Sequence, residues 1–301
     1  LFSNVLRREA LGRPEVVHAK EGILAFDLDG TLTDKNHALP PPTVSMLRSL
    51  HEAGWVVFFV TGRTLPWSLA HLSSLAIPFY LAPYNGACVR HFPGDEYVHA
   101  ACMNTHHLRL CERFFPDFGG VVYTLSGRAV YTHLPTSPRI LEHVRKRRSL
   151  QHEEWELLPS LSSVENEGVA SVRFFAPPLE ASMLSHLLGE GSALHAPTMK
   201  DSFDESLSVV QVTAPYASKG QALLSVRRRY PGVPVIAAGN DENDIPLLQC
   251  ADIGIAVGKD APLILRKLAH VKAASPEEIP QAVAVGVQMA QKKMGVRASR
   301  V

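Results

Sequence analysis

"ILAFDLDGTLTD", residues 23–34, runs an apolar strand straight into two acids separated by a single leucine. Residues two apart in an extended strand point the same way, so Asp27 and Asp29 face one pocket while Leu28 packs behind them. Two carboxylates that close repel each other, and one is driven toward its neutral form unless a cation lies between them. Mg²⁺ is the natural cation, a hard ion held by one or two carboxylates together with phosphate oxygens and water. Gly30, Thr31 and a third acid, Asp34, follow at once, and Asp34 reads as a side chain that stabilises the turn.

Outward from this stretch, the prolines at 40–42 open TVSMLRSLHEAG, residues 43–54, in which Val44, Leu47 and Leu50 fall at helical spacing and Gly54 is the stop. WVVFFV, residues 55–60, is a continuous apolar run that predicts a strand buried on both faces. The two together predict a βαβ unit in a parallel sheet. Near the other end, a helix is predicted from about Ser218 to Arg229, then a buried strand in VPVIAAG, residues 233–239. A short helix in NDIPLLQCA, residues 243–251, and a strand in ADIGIAVG, residues 251–258, complete the pattern.

Polar residues gather at three strand ends: Asp27 and Asp29; Thr61, Gly62 and Arg63; and Asn240, Asp241, Asn243 and Asp244. Ligands of open parallel sheets bind outside the carboxyl ends of the strands, so one site is expected from both ends of the chain. Thr61 and Gly62 offer a hydroxyl and an uncovered backbone N–H at the opening of the next helix, a cradle for an anion. Lys219, just after the N-cap Ser218, can bring a point charge to a phosphate. The middle reads differently. RAVYTHL, residues 128–134, and GVASVRFFA, residues 168–176, look like strands, with helical stretches near 138–148 and 179–190. The fold class expected is α/β: a doubly wound, Rossmann-like parallel-sheet core over 1–85 and 209–301, with an inserted α+β module over 86–208.

The 301 residues are enough for two domains, and 46% apolar residues suffice for a sizeable core. Thirty basic against twenty-nine acidic residues leave a net charge of +1, which argues against nucleic acid or an anionic membrane as partner. The basic runs at 145–148 and 227–229 read as solvated helix faces. Cys88, Cys102, Cys111 and Cys250 form no C-x-x-C pair, and no apolar run approaches the roughly 18 residues of a membrane span, so a reduced, cytoplasmic protein is expected. The chain begins at Leu1, which leaves a leader ahead of it open. His106, His107 and His133 show no metal-ligand spacing, and Trp55 and Trp67 read as packing residues.

"DLDGTLTD", "VTGR", "SKGQAL" and "GNDENDIPLL", in that order, resemble the haloacid dehalogenase superfamily of phosphohydrolases. "YNGA" at 84–87, followed by a long insert, resembles its Cof-type subgroup with a large α+β cap. The resemblance implies that Asp27 is the nucleophile, forming an aspartyl-phosphate, and that Asp29 is the general acid and base. It implies that Thr61, Gly62, Lys219 and Asn243 hold the phosphoryl oxygens. Mg²⁺ would be bound by Asp27, by Asp29 through its backbone carbonyl, and by the fourth motif through Asn240 or Asp241 and Asp244. The usual fourth motif is G-D-x-x-N-D, and this chain has an amide, Asn240, in place of its first aspartate. Arg63 is the candidate contact between core and cap. The activity implied is Mg²⁺-dependent hydrolysis of a small phosphorylated metabolite by a monomer, with a phosphosugar mutase or a non-catalytic phosphometabolite-binding protein as alternatives.

Overall fold

The computed structural model describes residues 21–34, 37–151, 155–161, 164–192, 194–201 and 203–298. Its first half runs β1 (Gly22–Phe26), α1 (Pro41–Glu52), β2 (Trp55–Val60), α2 (Leu65–Leu72), β3 (Phe79–Ala82), β4 (Cys88–Phe92), β5 (Glu96–Ala100), α3 (Thr105–Glu112), α4 (Phe115–Phe118), β6 (Val121–Thr124), β7 (Ala129–Tyr131) and α5 (Pro138–Gln151). The second half runs β8 (Trp155–Leu157), β9 (Val169–Ala176), α6 (Pro178–Ser192), β10 (Thr198–Lys200), β11 (Ser208–Val212), α7 (Lys219–Arg227), β12 (Val235–Gly239), α8 (Ile245–Gln249), β13 (Ile253–Val257), α9 (Leu263–Leu268), β14 (Val271–Ala273) and α10 (Ile279–Ala298).

An eight-stranded sheet has the order β14-β13-β12-β1-β2-β3-β4-β5. The six strands from β14 to β3 are parallel, and β4 and β5 add an antiparallel edge. Period-two alternation divides β1 between the two faces. Leu24 and Phe26 pack in one cluster with Leu47 of α1 and Ile279 and Val283 of α10; Ile23 and Ala25 pack in another with Leu223 of α7 and Leu247 of α8. All six residues of β2 are buried. Truncating Phe58 or Phe59 there would open a cavity worth about 3–5 kcal/mol. The chain winds outward from β1 through β2 and β3, then returns to the other side of β1 as β12. The switch in direction lies at the β1/β12 boundary, where a crevice opens beyond the strand ends.

The second sheet has the order β10-β11-β9-β6-β7-β8, antiparallel except for the β7/β8 pair. On β9, Val172, Phe174 and Ala176 pack with Leu108 of α3 and Leu184 of α6, while Ser171, Arg173 and Phe175 alternate onto the opposite face.

Two boundaries differ from the expected division at 85/86 and 208/209. Residues 88–100 belong to the core sheet, because β4 continues the hydrogen-bond ladder of β3 from Phe79 to Leu81. Residues 208–212 belong to the second sheet, because β11 pairs with β9 over five positions. By sheet membership, the inserted module lies between these two points. Among the described residues no helix is long and apolar enough to cross a membrane, and all four cysteines are free.

Candidate active site

The end of β1 is held by main-chain pairing: the Asp27 N–H donates to the Ala238 carbonyl at 3.1 Å. This fixes the Asp27 carboxylate at the floor of a cavity of about 470 Å³ between core and inserted module. Asp27 is buried, and Lys219 Nζ donates to its Oδ1 at 2.6 Å. Lys219 also donates to Asp244 Oδ1 at 2.6 Å. The lysine reaches this point because α7 begins at it, with the Ser218 hydroxyl accepting the Gln221 N–H at 3.2 Å as the expected N-cap.

The charges adjust to one another. Burial pushes Asp27 up to about 7, the Lys219 ammonium opposes that shift and Asp244 adds to it. Burial also disfavours the Lys219 charge, but Asp244 and Asp27 outweigh it and hold the ammonium above the usual lysine range. Asp244 is fully buried, and its second oxygen accepts the N–H groups of Asn240 and Asp241 at 2.9 and 3.1 Å. Both of its oxygens are thus taken by protein donors. This corrects the expectation that Asp244 is a direct metal ligand: it braces Lys219 and the loop.

Asn240, not Asp241, stands beside the first motif. Its side chain lies 3.2 Å from Asp27 Oδ2, from the Asp29 carbonyl and from the Thr31 hydroxyl. Facing these acceptors without a cation, the amide turns its nitrogen toward them and donates. With its oxygen turned inward instead, three oxygens of Asp27, Asp29 and Asn240 converge at a separation close to the ~2.9 Å between adjacent oxygens of an octahedral Mg²⁺ site. The donor set therefore fits Mg²⁺, with an amide oxygen where a carboxylate is usual. Gly30 makes room for this approach: its φ is +72°, and a Cβ there would stand 2.5 Å from the Asn240 amide. Asp241 is exposed, and its carboxylate accepts the Glu242 N–H at 2.7 Å.

Asp29 has a different environment from Asp27. Arg63 binds it through two parallel bonds, Nε to Oδ2 at 2.7 Å and Nη2 to Oδ1 at 2.8 Å, and His37 Nδ1 lies 3.0 Å from Oδ1. Partial burial pushes Asp29 up, but hydrogen bonds from His37 and Arg63 and the guanidinium charge outweigh it and hold the carboxyl well below the usual range. Arg63 stacks on Trp67 at 4.3 Å, and Trp67 stacks on His71 at 3.8 Å, so Trp67 is a platform for the arginine as well as a packing residue. The hydrogen-bond partners of Arg63 all lie in the core. The expected core-to-cap contact is made instead by Arg173 of β9, whose Nη2 donates to the Gly62 carbonyl.

Thr61 is fully buried and its hydroxyl accepts the Arg63 N–H at 3.1 Å. The helix expected to open at Thr61 starts at Leu65, so the cradle is a loop. Asn243 Nδ2 donates to Asn85 Oδ1 at 3.0 Å, and the Asn85 N–H donates to the Thr61 carbonyl at 2.8 Å. Asn85 thereby ties the second motif to the fourth, with φ of 54°, a left-handed conformation asparagine tolerates. The stretch "YNGA" holds the signal for it. Asp34 acts as the turn residue expected, its Oδ1 accepting the Ala38 N–H at 3.0 Å. Arg147, read from sequence as part of a solvated helix face, is instead buried and lines the cavity. Arg227 and Arg229 of the second basic run pair with Asp252 and Glu96.

The haloacid dehalogenase-like hydrolase family matches residues 24–283, a span that holds every one of these groups. The chain belongs to that family. The HMP-PP phosphatase of Cronobacter sakazakii is 25% identical to this hydrolase over 252 residues, 82% of this chain and 88% of the relative. The phosphoglycolate phosphatase of Methanoculleus marisnigri is 24% identical over 249 residues, 80% and 85% of the two chains. The fold is shared with BT1666 of Bacteroides thetaiotaomicron, with a TM-score of 0.70 at 19% identity over 92% of this hydrolase and 98% of that protein.

Proposed function

We propose that this hydrolase is a Mg²⁺-dependent phosphatase that cleaves a small phosphorylated metabolite through an aspartyl-phosphate on Asp27. One observation carries the reading: Asp27 sits at the cavity floor with Lys219 on one oxygen and Asn240 and the Asp29 carbonyl beside the other. Both similar phosphatases are named for small phosphorylated compounds, and a cavity of about 470 Å³ has room for such a substrate.

An Asp27 carboxylate oxygen attacks phosphorus, the bond from phosphorus to the leaving oxygen breaks, and the leaving alkoxide takes a proton from Asp29. Water then gives a proton to Asp29 and attacks the same phosphorus, the acyl phosphate bond breaks, and phosphate leaves with Asp27 restored. Dividing one displacement into two lowers each barrier, and a positioned acid and base contribute about 10² to 10⁴-fold. Asp27, the Asp29 carbonyl and Asn240 would hold Mg²⁺, which supplies charge neutralisation for the phosphoryl oxygens. Lys219 holds Asp27 in place and brings a positive charge beside the attacked phosphorus. Thr61, Gly62 and Asn243 line the loop where the phosphoryl oxygens would rest. In its Arg63-bound form Asp29 carries no proton, so its turn as acid requires release from that arginine.

The test is phosphate release from a panel of metabolite monophosphates with and without Mg²⁺. Metal-dependent release is expected, with a loss of roughly 10⁴-fold or more in kcat for Asp27→Asn. Metal-independent release, or an Asp27→Asn protein as active as the native one, contradicts the reading.

A further inference from the structure

Strand β9 turns Arg173 onto the face opposite the apolar cluster formed by Val172 and Phe174, and Gln211 stands directly across from it on β11. Both side chains are buried. The Arg173 guanidinium lies 5.1 Å over the Tyr123 ring and donates one N–H to the Gly62 carbonyl. Its Nε has no hydrogen-bond partner, and neither does the nitrogen or the oxygen of the Gln211 amide. Among the described residues no carboxylate pairs with Arg173. A buried charge without a counter-charge is costly, and unpartnered buried amides add to that cost.

Two further cations face the same cavity. Arg147 of α5 is buried between the rings of Phe175 and Phe203, at 5.2 and 5.1 Å, and its Nε is also without a partner. Asp201 holds it from behind at 2.6 Å while accepting the Phe203 and Asp204 N–H groups and lying 3.1 Å from His143 Nε2. Burial pushes the Arg147 guanidinium down to about 10; Asp201 opposes this, and the like charges of Arg173 and Arg63 add to it. Lys200 is exposed on β10 and lines the cavity with no carboxylate partner among the described residues. Asp241, the acid that also lines the cavity, is exposed and bonded to a backbone N–H.

We propose that the substrate's leaving group carries an acidic group of its own, a carboxylate or a second phosphate, which binds the inserted module at Arg173 with Gln211, Arg147 and Lys200 around it. An anionic oxygen pair matches the flat donor fork of an arginine and supplies the counter-charge that Arg173 lacks. This specifies the substrate class and rests on the phosphatase reading above. The inserted module then selects the leaving group while the core handles the phosphoryl group.

Two matched pairs test it: 3-phosphoglycerate against glycerol 3-phosphate, and glucose 1,6-bisphosphate against glucose 6-phosphate. The native enzyme is expected to favour the acid-bearing member of one pair by at least about tenfold in kcat/KM, the scale of one charge-assisted hydrogen bond. The favoured pair names carboxylate or phosphate as the source. Arg173→Gln should bring that ratio to within about twofold of one, and Arg173→Lys should restore part of it. Lys200→Gln, on an exposed strand end where folding is not at stake, should lower the ratio severalfold. A native ratio near one in both pairs overturns the proposal. So does an Arg173→Gln protein that loses rate equally on both members, since Arg173 would then serve the transferred phosphoryl group. If no compound of the four is turned over, the phosphatase reading fails, and calorimetry of the same pairs with Asp27→Asn decides this one. Tighter binding of an acid-bearing member by about tenfold supports it, and equal or absent binding overturns it.

Discussion

At the end of β1, Lys219 lies 2.6 Å from both Asp27 and Asp244, and each buried charge has an opposite charge on it. Across the cavity, on the inner face of the second sheet, Arg173 is equally buried with an unpartnered Nε and an unpartnered Gln211 amide opposite. The difference marks two kinds of work. The core corner is complete in the protein alone, as a site must be when it holds the groups that react. The inner face of the module is complete only with something negative added, as a site must be when it recognises what the reacting group is attached to.

Removing a charge from the completed corner should be the costlier change. Lys219→Met leaves Asp27 and Asp244 buried together with no cation, and urea unfolding without metal should show a loss of about 3–5 kcal/mol. A loss below about 1 kcal/mol would show that the corner is not held by this lysine and would erase the contrast.

Asp201 is the inserted module's own completed pair, so it extends the comparison to the other side. Asp201→Asn should cost about 2–3 kcal/mol at pH 7 by weakening the hold on Arg147 and His143. Burial pushes Asp201 up, but the His143 hydrogen bond and the Arg147 charge outweigh it and leave the carboxyl below its ordinary 3.8. A depressed carboxylate contributes stability that is fully present above its unfolded value and is lost as pH falls through the folded one. The gap between native protein and Asp201→Asn should therefore be constant from pH 7 to about 5 and narrow below about 4. A gap that widens on acidification contradicts the pairing.

The smallest effect expected is at Asn240. Asn240→Asp adds a carboxylate 3.2 Å from Asp27 Oδ2, so it should lower stability by about 1 kcal/mol without metal and tighten Mg²⁺ binding by roughly tenfold in calorimetry. Unchanged Mg²⁺ affinity would place the ion away from Asn240.

Much of this corner is legible in the sequence, because its geometry is local. Asp27 and Asp29 share a face by strand period alone, the β2 run has no polar residue to interrupt it, and Ser218 caps the helix that delivers Lys219. The edge hairpin β4–β5 is harder to place, and sequence reasoning assigns it to the insert. Its turn, PGDE at 93–96, is visible, but nothing in it says which sheet the strands will join. The recognition face is less legible still. Arg173 and Gln211 meet through the register of β9 on β11, which no local pattern encodes, and Arg147 is hidden in a basic run whose neighbours Arg145 and Lys146 are exposed. The departure at Asn240 is plain as a letter. Its consequence needs three dimensions, which put Asn240 at the junction and turn Asp241 to the surface.

The central claim is that Asp27 becomes covalently linked to phosphorus during turnover. Acid quenching of the reaction, followed by mass spectrometry of the peptide carrying Asp27, tests it most directly. A phosphoryl adduct on that peptide, dependent on Mg²⁺ and absent in Asp27→Asn, is the result predicted. Steady phosphate release with no adduct at Asp27, or release that persists in Asp27→Asn, would contradict it.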